Sequence, residues 1–228
     1  MEIRVIYLEG DTYSERVAER CINSGKRWGH DVIPFKGVKG KYAREIMQNH
    51  GLQWGWANFN TEKLICPHTG IQHFPYNCKN LDNKIGCSMS HYLLWVECYN
   101  TKKDILILEH DAVFIKELPP IYFQGICQIN DPAGCTPKGG AWSYGMRKRG
   151  PGIWNKTKID YPDNRPDGLA GNSAYMIKPH AALALIAAFN NYGVWPNDAT
   201  ICIQLFDYLE ELYPFVVETR QERSTTVL

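Results

Sequence analysis

Asp104-Ile105-Leu106-Ile107-Leu108-Glu109-His110-Asp111-Ala112-Val113-Phe114 decides the fold. Four successive aliphatic residues without polar alternation predict a strand covered on both faces, the kind found at the centre of a parallel sheet. In an extended chain residues two apart face the same side, so the spacing puts Glu109 and Asp111 over one crevice beyond the carboxyl edge of the sheet. There they can meet a cation or a diphosphate. Mg²⁺ and Mn²⁺ take one or two carboxylates together with substrate phosphates. Acidic residues after a strand also serve as helix caps, so two readings stand at this point.

Outward from that strand the pattern is α/β. Ile3–Leu8 reads as an opening strand, followed by a helix that Ser14 can cap, with Val17, Ala18, Cys21 and Ile22 as its apolar stripe, ending at Gly29. Val32–Phe35 completes a βαβ unit. Gly51–Lys84, rich in Trp, Asn, Pro, His and Gly without a period, predicts a long surface loop. Ser88 or Ser90 is placed to cap the next helix, on which His91, Leu94, Trp95 and Cys98 share a face. Strands are expected near Gly125–Ile129 and at Ala174–Ile177, and a second long loop over Asp131–Gly168. An Ala-rich helix is expected from Pro179 to Asn190. Pro196-Asn197-Asp198 is placed to open a last helix with Ile201, Leu205, Phe206, Leu209 and Leu212 inward, before a strand at Phe215–Val217.

The 228 residues suffice for one α/β domain, residues 1–228, and are too few for two full ones. With 44% hydrophobic and 21% charged residues, disorder, collagen and coiled coil are excluded. The longest apolar run, Ala181–Phe189, is far shorter than the roughly 18 residues that cross a bilayer. No membrane insertion and a cytoplasmic location are therefore expected, the host cytoplasm if the gene is a phage's.

A net charge of +1 argues against a surface that binds polyanions throughout. Locally the balance differs. No acidic residue lies between Asp131 and Asp160, while Lys138, Arg147, Lys148, Arg149, Lys156 and Lys158 do, interleaved with Trp142, Tyr144 and Trp154. Such a stretch reads either as a solvated loop or as a phosphate-contacting one.

Most of the eight cysteines lie inside apolar periodic segments and read as reduced core thiols. Cys66, His68, His73 and Cys78 sit in one irregular segment and are valid zinc ligand types, although C-x-H-x4-H-x4-C is not a common structural-zinc spacing.

Four ordered motifs carry a resemblance: Gly86-Cys87 with Ser90-His91 and Trp95; Ile107-Leu108-Glu109-His110-Asp111-Ala112; Gly171 with Ala174-Tyr175 and Ile177; and Pro196 with Asp198. This arrangement resembles glycosyltransferase family 25, whose pattern is a G-C-x-x-S-H-x-x-x-W helix, an I-L-E-D-D-A strand end, a G-x-x-A-Y-x-I segment and a later Pro-x-Asp. The likeness extends from Ser14-Glu15-Arg16 to Gln221 and Ser224-Thr225-Thr226. His110 departs from the family's middle Asp. The E-H-D-A form is similar to phage-encoded members.

The resemblance implies a GT-A type, Rossmann-like domain with a mostly parallel central sheet flanked by helices and two long loops. It also implies a nucleotide-sugar donor, usually UDP-linked, and inversion at the anomeric carbon. Carried onto this chain, Glu109 and Asp111 hold Mn²⁺ or Mg²⁺, and Leu8, Arg16, Ser90, His91, Glu109 and His110 surround the donor. Asp111 and Asp198 are the catalytic candidates, Asp198 as general base or else as an ordinary N-cap. Ser90 and His91 read equally as a cap and a core histidine, Arg16 as a solvated helix residue, and Asn172 as a sugar contact or a turn residue. On the acceptor side stand Asn172, Arg147, Lys148 and Arg149. Their charges suit the backbone of hydroxymethylated phage DNA and equally a phosphorylated lipid core. A surface-glycan acceptor, and a non-catalytic module that binds sugar or nucleic acid, are the competing functions.

Overall fold

The structure, a computed structural model, describes residues 1–57, 62–75, 80–135, 139–156, 158–159, 161, 163–169 and 171–220. In chain order the elements are β1 (Glu2–Tyr7), α1 (Thr12–Arg27), β2 (Val32–Lys36), α2 (Gly40–Asn49), β3 (Leu64–Ile65), β4 (Gln72–His73), α3 (Leu81–Thr101), β5 (Ile105–Glu109) and β6 (Ala112–Phe114). There follow β7 (Ile126–Gln128), α4 (Gly139–Arg149), β8 (Gly152–Asn155), β9 (Ala174–Ile177), α5 (Pro179–Tyr192), α6 (Asn197–Thr200), β10 (Leu209–Tyr213) and β11 (Val217–Thr219).

Seven strands form one sheet in the order β2-β1-β5-β9-β7-β10-β8. β2, β1, β5, β7 and β10 run one way, and β9 and β8 run against them. The chain is thus mixed α/β with a mostly parallel central sheet, and the expected βαβ opening is present. The apolar run of β5 has a direct explanation. Ile105 and Ile107 belong to the core beneath α3 and α5, whereas Leu106 and Leu108 belong to the core shared with α1 and the β6–β11 pair. With both faces covered, neither side of the strand can be polar.

Several local expectations change. Asp11, not Ser14, caps α1, its Oδ1 accepting from the Ser14 amide at 2.9 Å. α3 starts seven residues before Ser88, because the Asn80 side chain accepts from the amides of Asp82 and Asn83 at 3.0 and 3.3 Å. The stretch read as a second long loop contains α4 and β8. The last helix is a single turn, since Leu209–Leu212 pair with β7 and β8 as a strand. α2, with a weak sequence signal, packs against α3.

Candidate functional site

The carboxyl ends of β1, β5 and β7 share one edge, and β9 starts there from the opposite direction. Glu109 N–H donates to the Ser173 carbonyl at 2.8 Å, and Asn130 Oδ1 accepts from the Ala174 amide at 3.1 Å and from Gln128 Nε2 at 3.0 Å. These bonds tie the ends of β5 and β7 to the segment that leads into β9. The site residues stand on that tied edge.

Glu109-His110-Asp111 is not one extended run. β5 stops at Glu109, and the chain turns at His110 and Asp111 before β6. Alternation along a strand therefore does not relate the two carboxylates, contrary to the sequence expectation. They nevertheless act on one neighbour: burial first, and then the charges of Asp111, Asp131 and Glu109, raise the Cys135 thiol above its usual range. Glu109 has no Lys or Arg partner among the described residues; it meets His91 Nε2 at 3.5 Å and Ser173 Oγ at 3.4 Å.

α1 reaches the site through Ser14. With Asp11 acting as the cap, the fully buried Ser14 hydroxyl is left to accept from the Leu8 amide at 2.9 Å and to meet His110 Nδ1 at 2.7 Å. The ring edge of Tyr13 also meets His110, and Arg16, exposed, stacks over Tyr13. Leu8, Arg16 and His110 are thereby gathered at the end of β1.

Ser90 and His91 lie in the middle of α3, not at a cap. Ser90 Oγ donates to the Gly86 carbonyl at 2.7 Å and accepts from the Val38 amide at 2.8 Å, which fixes the turn after β2. His91 is 1% exposed, with Nδ1 2.9 Å from the Tyr175 hydroxyl, which also accepts from Trp95 Nε1 at 2.8 Å.

Asn172 adopts φ +31° and is 2% exposed, and neither of its amide atoms has a hydrogen-bond partner among the described residues. A buried amide in that condition is costly unless something else satisfies it. It immediately precedes Ser173, the residue bonded to Glu109.

Asp198 lies in the single turn of α6, whose N-cap is Pro196, so the capping role expected for it falls away. Burial lifts the Cys87 thiol to about 12, with the charge of Glu109 adding most and that of Asp198 adding less. Both charges therefore act on Cys87, whose Sγ is 3.6 Å from Asn197 Oδ1.

The basic stretch is largely engaged. Arg147 donates to Asp131 Oδ2 at 3.0 Å, Arg149 to the Asn155 carbonyl at 3.2 Å, and Lys148 stands over the Tyr144 ring. Lys156 is buried in an ion pair with Asp167. Lys158 is exposed, and Lys138 lies outside the described residues. An acid-free segment in sequence is thus not acid-free in space.

Cys66, His68 and His73 do not converge. His73 is buried between the rings of Trp56 and Trp195, with centroids at 4.0 and 4.4 Å, whereas His68 is exposed against Tyr192. Stacking, not ligation, accounts for His73, and burial lowers it to about 4. Cys78 lies outside the described residues, as do Gln221 and Ser224-Thr225-Thr226. Among the described residues, Cys87, His91 and Glu109 are the group whose ligand-type atoms all lie within 4.8 Å of one another.

Sequence reasoning gave no role to Cys87, Trp95, Ser173 or Tyr175. A signal existed: Cys87 and His91 are four apart on one helix face, and Tyr175 alternates with Ile177 toward α3.

Residues 19–130 match the model of glycosyltransferase family 25, described as an LPS biosynthesis protein. No curated protein matches the chain significantly by sequence. Among solved structures, the apo form of mouse xyloside xylosyltransferase 1 is similar at 9% identity, over 92% of this chain and 84% of that one, with a TM-score of 0.39.

Proposed function

We propose, for a chain whose residues 19–130 place it in glycosyltransferase family 25, that the sheet edge around Glu109 binds a nucleotide-sugar donor and that Asp198 activates the acceptor hydroxyl. The observation that carries this is Asn172, a buried amide with no partner among the described residues, one position from Ser173, whose carbonyl accepts from the Glu109 amide. Sugar hydroxyls both donate and accept, and so does an amide.

A divalent cation fits the donor set. Glu109 has no Lys or Arg partner among the described residues, and Glu109 and Asp111 both act on Cys135. These two carboxylates would hold Mn²⁺ or Mg²⁺, which neutralises charge on a leaving diphosphate. The chain's own residues do the rest. Ser14 fixes His110 beside the end of β1, and Arg147, paired to Asp131, brings a guanidinium to the same rim. Inverting transfer requires a base on the acceptor side, away from the leaving group. Asp198 stands on α6 next to Asn197, whose Oδ1 lies 3.6 Å from Cys87 Sγ, and its charge, like that of Glu109, acts on that thiol.

For the acceptor, the engagement of Arg147, Arg149 and Lys156 within the protein removes much of the case for a DNA backbone. A saccharide hydroxyl is the acceptor class that fits. The test is release of nucleotide from a panel of nucleotide sugars, UDP-linked ones first, with and without glycan acceptors and hydroxymethylated DNA. Nucleotide release that glycans stimulate supports the reading; transfer to DNA alone replaces the acceptor. Binding without turnover of any donor would make the chain a binding module.

A further inference from the structure

Three buried groups and one half-exposed carboxylate form a line through the structure. Trp95 Nε1 is 2.8 Å from Tyr175 Oη, Tyr175 Oη is 2.9 Å from His91 Nδ1, and His91 Nε2 is 3.5 Å from Glu109 Oε1. Trp95 and Tyr175 are 0% exposed and His91 1%, so no bulk water completes their hydrogen bonds.

The direction of each bond follows from what each group can do. An indole nitrogen only donates, so Tyr175 Oη accepts from Trp95. The hydroxyl then keeps one proton to place, and His91 Nδ1 is its remaining partner among the described residues. Deep burial, with the charge of Glu109 adding to it, holds the Tyr175 hydroxyl well above its usual range, so that proton stays on oxygen. Nδ1 therefore accepts. The ring hydrogen of His91 sits on Nε2, the nitrogen 3.5 Å from Glu109 Oε1.

The other neighbour of Glu109 cannot substitute for this. Ser173 Oγ has one hydrogen and is 2.7 Å from the Gly171 carbonyl, against 3.4 Å from Glu109 Oε2. The shorter bond takes the hydrogen. His91 N–H is left as the group that steers the carboxylate.

We infer that Tyr175 is a positioning residue for the transfer reaction: with Trp95 it fixes the Nε2–H tautomer of His91, and His91 in that tautomer orients Glu109 toward the donor. The role assigned to Glu109 rests on the proposed function; the tautomer does not. The same tautomer bears on Cys87, His91 and Glu109, whose sulfur, nitrogen and oxygen are zinc ligand types. A ring hydrogen on Nε2 occupies the nitrogen that faces Glu109, so these three make a donor and an acceptor instead of a metal centre.

The decisive measurement is the ¹⁵N–¹H long-range correlation spectrum of the His91 ring in the full chain, before and after adding Zn²⁺. Wild type is expected to show Nδ1 unprotonated and Nε2 protonated, and to keep the Nε2 proton on adding zinc. In Tyr175→Phe the ring should move to a mixture of tautomers. Because that variant leaves the Trp95 N–H unpaired, Trp95→Phe combined with Tyr175→Phe provides a version without the orphaned donor. Both variants should lower kcat for donor turnover by about 10- to 100-fold with little change in KM, the usual loss when a supporting hydrogen bond behind a working group is removed. An Nδ1–H ring in wild type, or loss of the Nε2 proton to zinc, overturns the inference. So does full kcat in the doubly substituted chain. Were wild type to turn over no nucleotide sugar, the proposed function would fall while the spectrum still settled the tautomer.

Discussion

Lys156 Nζ lies 2.9 Å from Asp167 Oδ1, with side chains only 2% and 1% exposed, so a residue that reads as part of a cationic surface stretch is a buried ion-pair partner. Asp167 Oδ2 also accepts from the Ile159 amide at 2.6 Å, which ties the segment after β8 to the loop ahead of β9. Removing one partner of a buried pair strands the other charge and typically costs about 3–5 kcal/mol. Lys156→Met is accordingly expected to lower stability by about that much in urea denaturation. Lys156→Met with Asp167→Leu should recover most of it. An unchanged midpoint in the single variant would mean that the pair is solvated.

Glu211, on β10, is 7% exposed, and burial raises its carboxyl above the ordinary 4.5, against opposing pulls from Lys156 and Arg149. Folded chain then holds this proton more tightly than unfolded chain. The associated stability is present below about pH 4.5 and is lost as pH rises through the folded value. Glu211→Gln should flatten the decline in denaturation free energy across that window. Parallel pH profiles for wild type and variant would remove Glu211 from the account.

Glu109→Gln and Asp111→Asn each keep shape while removing charge. Each should reduce donor turnover by about a hundredfold or more, because stabilisation of charge developing on the leaving group is lost. EDTA should reproduce the loss in wild type, and added Mn²⁺ should reverse it. Undiminished turnover in EDTA would leave the carboxylates without a cation to hold.

How far the sequence could be read follows from where information is local. β5 and α3 announce themselves because their burial is written in contiguous or helically spaced apolar residues. α4 does not, since Gly139, Gly140 and Gly145 break its pattern, and Arg147 and Arg149 on it are answered by Asp131 and Asn155 from outside the helix. Glu109 and His91 were legible as candidates from the motifs. Tyr175 and Trp95 supply the buried hydrogen bonds behind them, and which core aromatic meets which ring nitrogen is decided only when β9 docks beneath α3. His73 shows the reverse error: residue types alone suggested a ligand, and tertiary packing supplied two tryptophans.

Asp198 is expected to separate chemistry from folding. Asp198→Asn keeps the size of the side chain and one of its oxygens, and the N-cap of α6 is Pro196, so activity should fall far more than stability. Transfer should fall by about 10²- to 10⁴-fold, the range for loss of a general base. Donor hydrolysis without acceptor should fall less. Loss of stability in step with activity would return the residue to a structural role.

Asn172 makes the opposite trade. Its backbone is at φ +31°, a region where glycine is unstrained, and its buried amide has no partner among the described residues. Asn172→Gly removes both costs at once. Since an unsatisfied buried polar group costs about 1–3 kcal/mol and some packing is lost with the side chain, a net gain of about 1 kcal/mol is expected. For a chain of this size that is a rise in Tm of about 2–4 °C. The same variant should lose most sugar transfer, chiefly through a higher KM for the sugar the amide contacts, because substrate hydroxyls no longer find it. Calorimetry and initial-rate kinetics on one preparation measure both quantities. A variant that is less stable and fully active would show that the amide is satisfied within the fold and has no part in binding.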